Sequence, residues 1–162
     1  MKRLMFLALS AALVASPALA KHKAAAAKPK AAPAELKWMD VPPMLPPGAQ
    51  MAVVSGDPMK AGKFSLQIKM PANYSVPAHW HPTDEKVTLV SGKLVYGMSD
   101  RIDKANAEAL AEGASVTMKA KMHHWVSTGD GATVQVDAMG PFKITYVDPS
   151  TDPRGAQAAK KP

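Results

Sequence analysis

Residues 71–92 read PANYSVPAHWHPTDEKVTLVSG, and within them His79, His81 and Glu85 stand at the spacing H-x-H-x3-E, with Gly92 following. Two histidines two apart on a strand point to the same face, with Cα atoms about 6.6 Å apart. Both imidazoles then converge on one point, while Trp80 between them points the opposite way. Beyond the Pro82-Thr83-Asp84 turn, Glu85 opens the next strand and can bring a carboxylate toward the same point. Imidazole nitrogens and a carboxylate oxygen are a ligand set that first-row divalent metals accept. The chain has five histidines, and four of them fall in two tight clusters, His79/His81 and His123/His124.

Working outward, the segments on either side alternate as half-buried strands do. Lys63 to Met70 (KFSLQIKM) puts Phe64, Leu66, Ile68 and Met70 on one face and Lys63, Ser65, Gln67 and Lys69 on the other. Met51 to Ser55 is a short apolar strand closed by Gly56-Asp57-Pro58. Pro71 to Pro77 reads as a turn-rich lead into the histidine strand. Lys86–Ser91 and Lys93–Met98 predict a hairpin around Ser91-Gly92. Ile102 to Leu110, rich in Ala, Lys and Glu, predicts a turn of helix. Ser115–Met118, His123–Ser127, Ala132–Met139 and Phe142–Val147 complete the strands, with Thr128-Gly129-Asp130-Gly131 as a turn. Trp38 to Gln50 (WMDVPPMLPPGAQ) is too proline-dense for a central strand or a helix, so it is expected to run extended over the surface. Seven or eight short strands with tight turns predict an all-β sandwich or barrel.

The histidine segment resembles the first motif of the cupins, G-x5-H-x-H-x3,4-E-x6-G, and matches it at His79, His81, Glu85 and Gly92. The motif's opening Gly falls on Asn73, a residue that tolerates left-handed backbone. The second cupin motif, G-x5-P-x-G-x2-H-x3-N, can be laid on Gly113 and puts its histidine on His124. Its Pro, second Gly and Asn fall on Lys119, Lys121 and Thr128, so this half is degraded. The resemblance covers roughly Ser65 to Tyr146. It implies a double-stranded β-helix, the double-sheet jelly-roll barrel shared by cupins, and a divalent transition metal (Fe, Mn, Ni or Zn) held by His79, His81, Glu85 and His124. Neighbours on a strand face opposite sides, so one of His123 and His124 ligates. The motif spacing selects His124 and leaves His123 outward.

The remaining residues bound the function. Met1-Lys2-Arg3, the apolar run Leu4–Val14 and Ala18-Leu19-Ala20 form an export signal with cleavage before Lys21. The apolar run is too short to span a bilayer, so no transmembrane anchor is expected, and the destination is the periplasm or the medium. The chain has no cysteine, which excludes a cysteine-linked lipid anchor and is compatible with an oxidising compartment. Residues 21–37 read as a disordered Ala/Lys/Pro linker, residues 38–148 as the cupin domain, and residues 149–162 as a polar tail. Of the formal charge of +7, the tails supply the excess, and residues 38–153 carry −2. That balance gives no support to nucleic-acid binding by the folded part. Trp80 and Trp125, each beside a proposed ligand, should pack against the second sheet or a partner subunit, which admits a homodimer. Lys119 and Lys121 are read as a solvated loop, or alternatively as cations at the barrel mouth that favour an anionic substrate. The methionines lack the clustering of a copper site and are read as core filling. Two functions follow: an exported metalloenzyme acting on a small organic substrate by oxygenase- or isomerase-like chemistry, or a cupin that binds a metal or ligand without turnover.

Overall fold

Two long strands carry the architecture of the computed structural model, which describes residues 35–158. They are β5 (Glu85–Gly97) and β8 (His124–Gly140), and they pair antiparallel along nearly their whole length, from Glu85 opposite Ala138 to Gly97 opposite Trp125. On the far side of β8, its C-terminal half pairs with β3 (Gly62–Met70) and its N-terminal half with β4 (Ser75–Trp80). On the far side of β5, its N-terminal half pairs with β7 (Ser115–Met118) and its C-terminal half with β6 (Glu108–Leu110). Each long strand therefore belongs to two sheets. One sheet runs β1-β2-β3-β8-β5-β7, with β1 (Met39–Asp40) and β2 (Gln50–Ser55) at its edge. The other runs β9-β4-β8-β5-β6, with β9 (Thr145–Tyr146) at its edge. The two sheets make the double-sheet jelly roll that the cupin resemblance implies, and Leu66, Leu89, Leu94, Met118, Val134 and Val136 fill the core between them.

Several local expectations change. No hairpin forms at Ser91-Gly92, and Thr128–Gly131 makes no strand reversal, because β5 and β8 continue through both segments. Both glycines keep the left-handed backbone that suggested turns, with φ 89° at Gly92 and 103° at Gly131. That backbone bends the paired strands together and passes them from one sheet to the other. The segment expected to be helical gives a 3₁₀ turn at Lys104–Asn106 and then strand β6, whose pairing with Leu94–Tyr96 overrides the helical propensity of Glu108-Ala109-Leu110. Only Thr145–Tyr146 of the last expected strand pairs. The region read as a polar tail takes a 3₁₀ turn at Pro149–Thr151 and a short helix α1 (Pro153–Ala158), with the Arg154 guanidinium donating to the Ile144 carbonyl.

The export signal at residues 1–20, nearly all of the linker at 21–37 and the chain end after residue 158 lie outside the described residues. Among the described residues no helix is long and apolar enough to cross a membrane.

Candidate metal centre

The site begins with an irregularity in β4. The register of β4 against β8 shifts between Val76 and His79, and Pro77, which has no N–H to give a ladder, sits in that bulge. Strict alternation would turn Val76 and His79 to opposite faces. The bulge lets both reach the cavity between the sheets. It also frees the Pro77 carbonyl, which accepts a hydrogen bond from His79 Nδ1 at 2.7 Å. His81 follows directly after β4, and its Nδ1 donates to the Lys143 carbonyl at 2.7 Å. His124 opens β8 directly opposite His79 and donates from Nδ1 to the Met122 carbonyl at 2.9 Å. A carbonyl only accepts, so each Nδ1 carries the proton, and each Nε2 faces inward with a free lone pair.

The three Nε2 edges meet. The ring centroids of His79 and His124 are 4.3 Å apart and those of His79 and His81 5.0 Å. Ligand atoms of all three residues lie within 4.8 Å of one another. Glu85, the first residue of β5, brings Oε2 to 3.6 Å from His81 Nε2 and 3.5 Å from His124 Nε2. All four residues are buried. Ligand atoms about 2.1 Å from a common ion stand roughly 3.0 to 3.4 Å from their neighbours, so these spacings suit one metal ion with small adjustment. The donor chemistry agrees: His81 Nε2 and His124 Nε2 are buried and have no hydrogen-bond partner. A buried polar atom without a partner is costly, and two of them aimed at one point call for a ligand there. The three histidines could hold a metal, with the Pro77, Lys143 and Met122 carbonyls fixing each ring from behind as metal sites require.

The electrostatics keep His79 and Glu85 in ligating form. Burial pushes His79 down to about 3, and the neighbouring rings of His124 and His81 push the same way. Burial alone would raise Glu85, but the imidazoles of His81, His124 and His79 outweigh it and hold its carboxyl at about 2. The shift of His79 has a consequence for the metal-free protein. Below the ordinary histidine value of 6.5 the unfolded chain takes a proton that the folded chain refuses, so stability falls as pH falls, down to about 3. Between pH 7 and 5 the loss is expected to be about 2 kcal/mol, read as a drop in the urea midpoint. His79→Gln should remove most of that dependence; an unchanged pH slope in that variant would sink the assignment.

The structure gathers all four residues that the motif pointed to, and it separates the neighbouring pair as strand alternation requires. His123 turns outward and meets the Asp100 carboxylate at 2.7 Å. Trp125 also points away from the site; it is buried beside Gly97 and donates from Nε1 to Ser99 Oγ at 2.9 Å. The degraded second motif keeps its geometry with other residues. Lys121, in place of glycine, takes φ 64° and donates its N–H to the His81 carbonyl. Thr128, in place of asparagine, accepts from the Tyr74 N–H and donates to the Pro71 carbonyl, tying β8 to the turn at Asn73. Asn73 itself has φ 58°, the left-handed backbone expected of the motif's first glycine. Lys119 is drawn to Asp84, with Nζ 2.9 Å from Oδ2, in a solvated turn outside the cavity. A non-glycine residue in this region carries a strain of about 1 kcal/mol, so Lys121→Gly is expected to raise stability by up to that amount in urea unfolding. A loss of stability would mean that Lys121 makes contacts worth more than the strain.

Sequence reasoning missed how the Pro-rich arm contributes. Met44 and Leu45 do more than cover the barrel, because they close the cavity together with Phe142, whose ring stacks on His81 at 4.6 Å. Tyr146 donates its hydroxyl to the Met44 carbonyl at 2.9 Å and Tyr74 donates to the Pro46 carbonyl, so two tyrosines pin the arm. Burial raises both hydroxyls well above the usual tyrosine range, and they remain donors. The cavity is about 50 Å³, room for an ion and a few waters at about 10–15 Å³ each.

Residues 29–145 match the model of a family described as a domain of unknown function, DUF4437. No curated protein matches the sequence. Among solved structures, the polyketide cyclase RemF from Streptomyces resistomycificus superposes with a TM-score of 0.62 at 16% identity, covering 82% of this chain and 94% of its own. A putative acetylacetone dioxygenase from Methylibium petroleiphilum PM1 gives 0.57 at 18% identity, covering 83% and 98%. An RmlC-like cupin from Shewanella frigidimarina NCIMB 400 gives 0.52 at 11% identity, covering 66% and 86%.

Proposed function

The chain belongs to the DUF4437 family and has the fold of the cupins, and from that premise we propose that His79, His81, Glu85 and His124 hold one divalent transition metal in an exported metalloenzyme acting on a small organic substrate. The observation that carries the reading is the pair of buried, partnerless nitrogens, His81 Nε2 and His124 Nε2, aimed at one point beside the Glu85 carboxylate. Iron, manganese, nickel and zinc all accept three imidazoles and a carboxylate. A bound metal would supply Lewis acidity, and redox chemistry if it is iron or manganese. The chain's own residues hold His79 and Glu85 deprotonated and fix the rings through carbonyls.

The cavity walls narrow the chemistry. Apart from the four donors, Tyr74 is the one polar residue among the described residues that lines the cavity, and its hydroxyl is engaged by Pro46. Glu85 is itself a proposed ligand, so proton transfer by a dedicated side chain has no free agent there among the described residues, which favours reactions that draw their chemistry from the metal. The same observation supports a second reading, a cupin that binds metal or ligand without turnover. Fold alone does not choose, since a cyclase and a putative dioxygenase share the scaffold.

Elemental analysis of protein purified from its native compartment tests the reading. One first-row divalent ion per chain is expected, in a mature protein whose intact mass begins at Lys21. Metal-free protein that takes up no ion on reconstitution would sink the metal centre. A mass retaining Met1–Ala20 in the membrane fraction would sink the export.

A further inference from the structure

A second hollow adjoins the metal cavity. It is an open groove of about 360 Å³ between the edge strands β1 and β2 and the Pro-rich arm. Four residues, Met44, Leu45, Ile68 and Phe142, line both spaces, so a single layer of side chains divides the groove from the site. Behind that layer the backbone is held by the tyrosine hydroxyls at Met44 and Pro46, while the Met44 side chain keeps three rotatable bonds and can swing.

The groove's surface is unusual for a protein exterior. Met39 is 54% exposed, Met59 68% and Val53 38%, yet all three belong to one apolar wall. Met39 stands directly opposite Met51 in the β1–β2 ladder, so their side chains share that face. Four of the methionines spread through the sequence are thus brought together along one groove, at Met39, Met44, Met51 and Met59. Methionine-rich walls adapt to ligands of varied shape. The charged residues of the groove are Asp40 and Asp57, and among the described residues no Lys or Arg lines either space. An anionic body finds no partner in this groove, and the alternative that Lys119 and Lys121 recruit an anion is not supported.

Resting on the metal reading above, we infer that the groove is the outer half of one ligand site: it takes the aliphatic body of an uncharged molecule whose oxygen-bearing head passes the Met44–Phe142 partition to the metal. The apolar wall pays for the body, and the metal, with no cationic side chain to help, receives the head. The site therefore selects for amphipathic molecules with one small polar end over sugars, phosphates or dicarboxylates.

The test uses the full-length mature protein and two probes. Neutral N-phenyl-1-naphthylamine reports the groove by fluorescence without any metal. Val53→Asp, which puts a charge on the groove wall, should weaken that binding at least tenfold, while Val90→Asp, at an exposed position outside the groove, should leave it unchanged. The second probe is a series of acetohydroxamic, hexanohydroxamic and octanohydroxamic acids added to Co(II)-loaded protein and followed by the visible spectrum of the ion. Affinity should rise by about three- to fourfold per methylene, Val53→Asp should flatten the rise, and Met44→Trp should block the long members while the Co(II) content stays the same. Affinity independent of chain length, or dye binding indifferent to Val53→Asp, would overturn the inference. So would dye exclusion accompanied by a Val53→Asp-sensitive dimer, since a second copy would then fill the groove. If Co(II) fails to load while the dye still binds and responds to Val53→Asp, the metal reading falls, and with it the placement of the head.

Discussion

His124→Ala is expected to empty the metal site, and His123→Ala to leave it filled. The two residues are adjacent in sequence, but one faces His79 across the β4–β8 ladder and the other faces Asp100 at the surface. His124 supplies a buried Nε2 that has no other partner. Removing it takes away one of three imidazoles and leaves the Glu85 carboxylate buried with less compensation. Loss of one ligand from a preformed site lowers affinity by orders of magnitude, so metal measured after extensive dialysis should fall from one ion per chain to near none. His81→Ala should do the same, whereas Trp80→Phe, at the half-buried residue between two inward histidines, should keep full content. Circular dichroism would separate loss of metal from loss of fold. If His123→Ala empties the site and His124→Ala does not, the inward face of β8 is misassigned, and the proposed centre fails with it.

The site was legible in the sequence because its information is local. Two histidines two apart need only a strand to share a face, and a glutamate after a short turn needs only the next strand to begin there. The second motif was legible in a weaker way. Its glycine and asparagine are absent, yet Lys121 adopts a left-handed backbone of the kind glycine favours and Thr128 ties β8 to the turn at Asn73. The enclosure was not legible. Tyr146 meets the carbonyl of Met44 across 102 positions, and no pattern within a window of ten or fifteen residues carries that pairing. The bulge at Pro77 was hidden for the opposite reason. A proline in a short run argues against a strand, and only the register against β8 reveals that it is what turns His79 inward.

A large effect on folding is expected at Gly92, where the sequence predicts a hairpin and the structure has a bend. In a hairpin, Gly92 would sit at a solvent-facing turn, and a larger residue there would cost about 1 kcal/mol for its left-handed backbone. In the bend, β5 at Gly92 lies directly against β8. A Cβ on Gly92 would stand 2.4 Å from the Gly131 carbonyl oxygen and 2.9 Å from the Ala132 Cα. Both are backbone atoms of the paired strand, so they cannot step aside as a flexible side chain would. The substitution must break the β5–β8 ladder where both strands pass between the sheets, or reopen the bend itself. Gly92→Ala is therefore expected to cost about 3 kcal/mol or more, the combined scale of positive-φ strain and overpacking, and to shift the urea midpoint far down or leave the protein unfolded. Gly113→Ala serves as the control. It shares the positive φ, at 77°, but an added Cβ meets nothing within 4 Å, so it should lose only about 1 kcal/mol. Equal losses in the two variants would show that backbone conformation alone matters at Gly92, and the close strand contact at the bend would have to be given up.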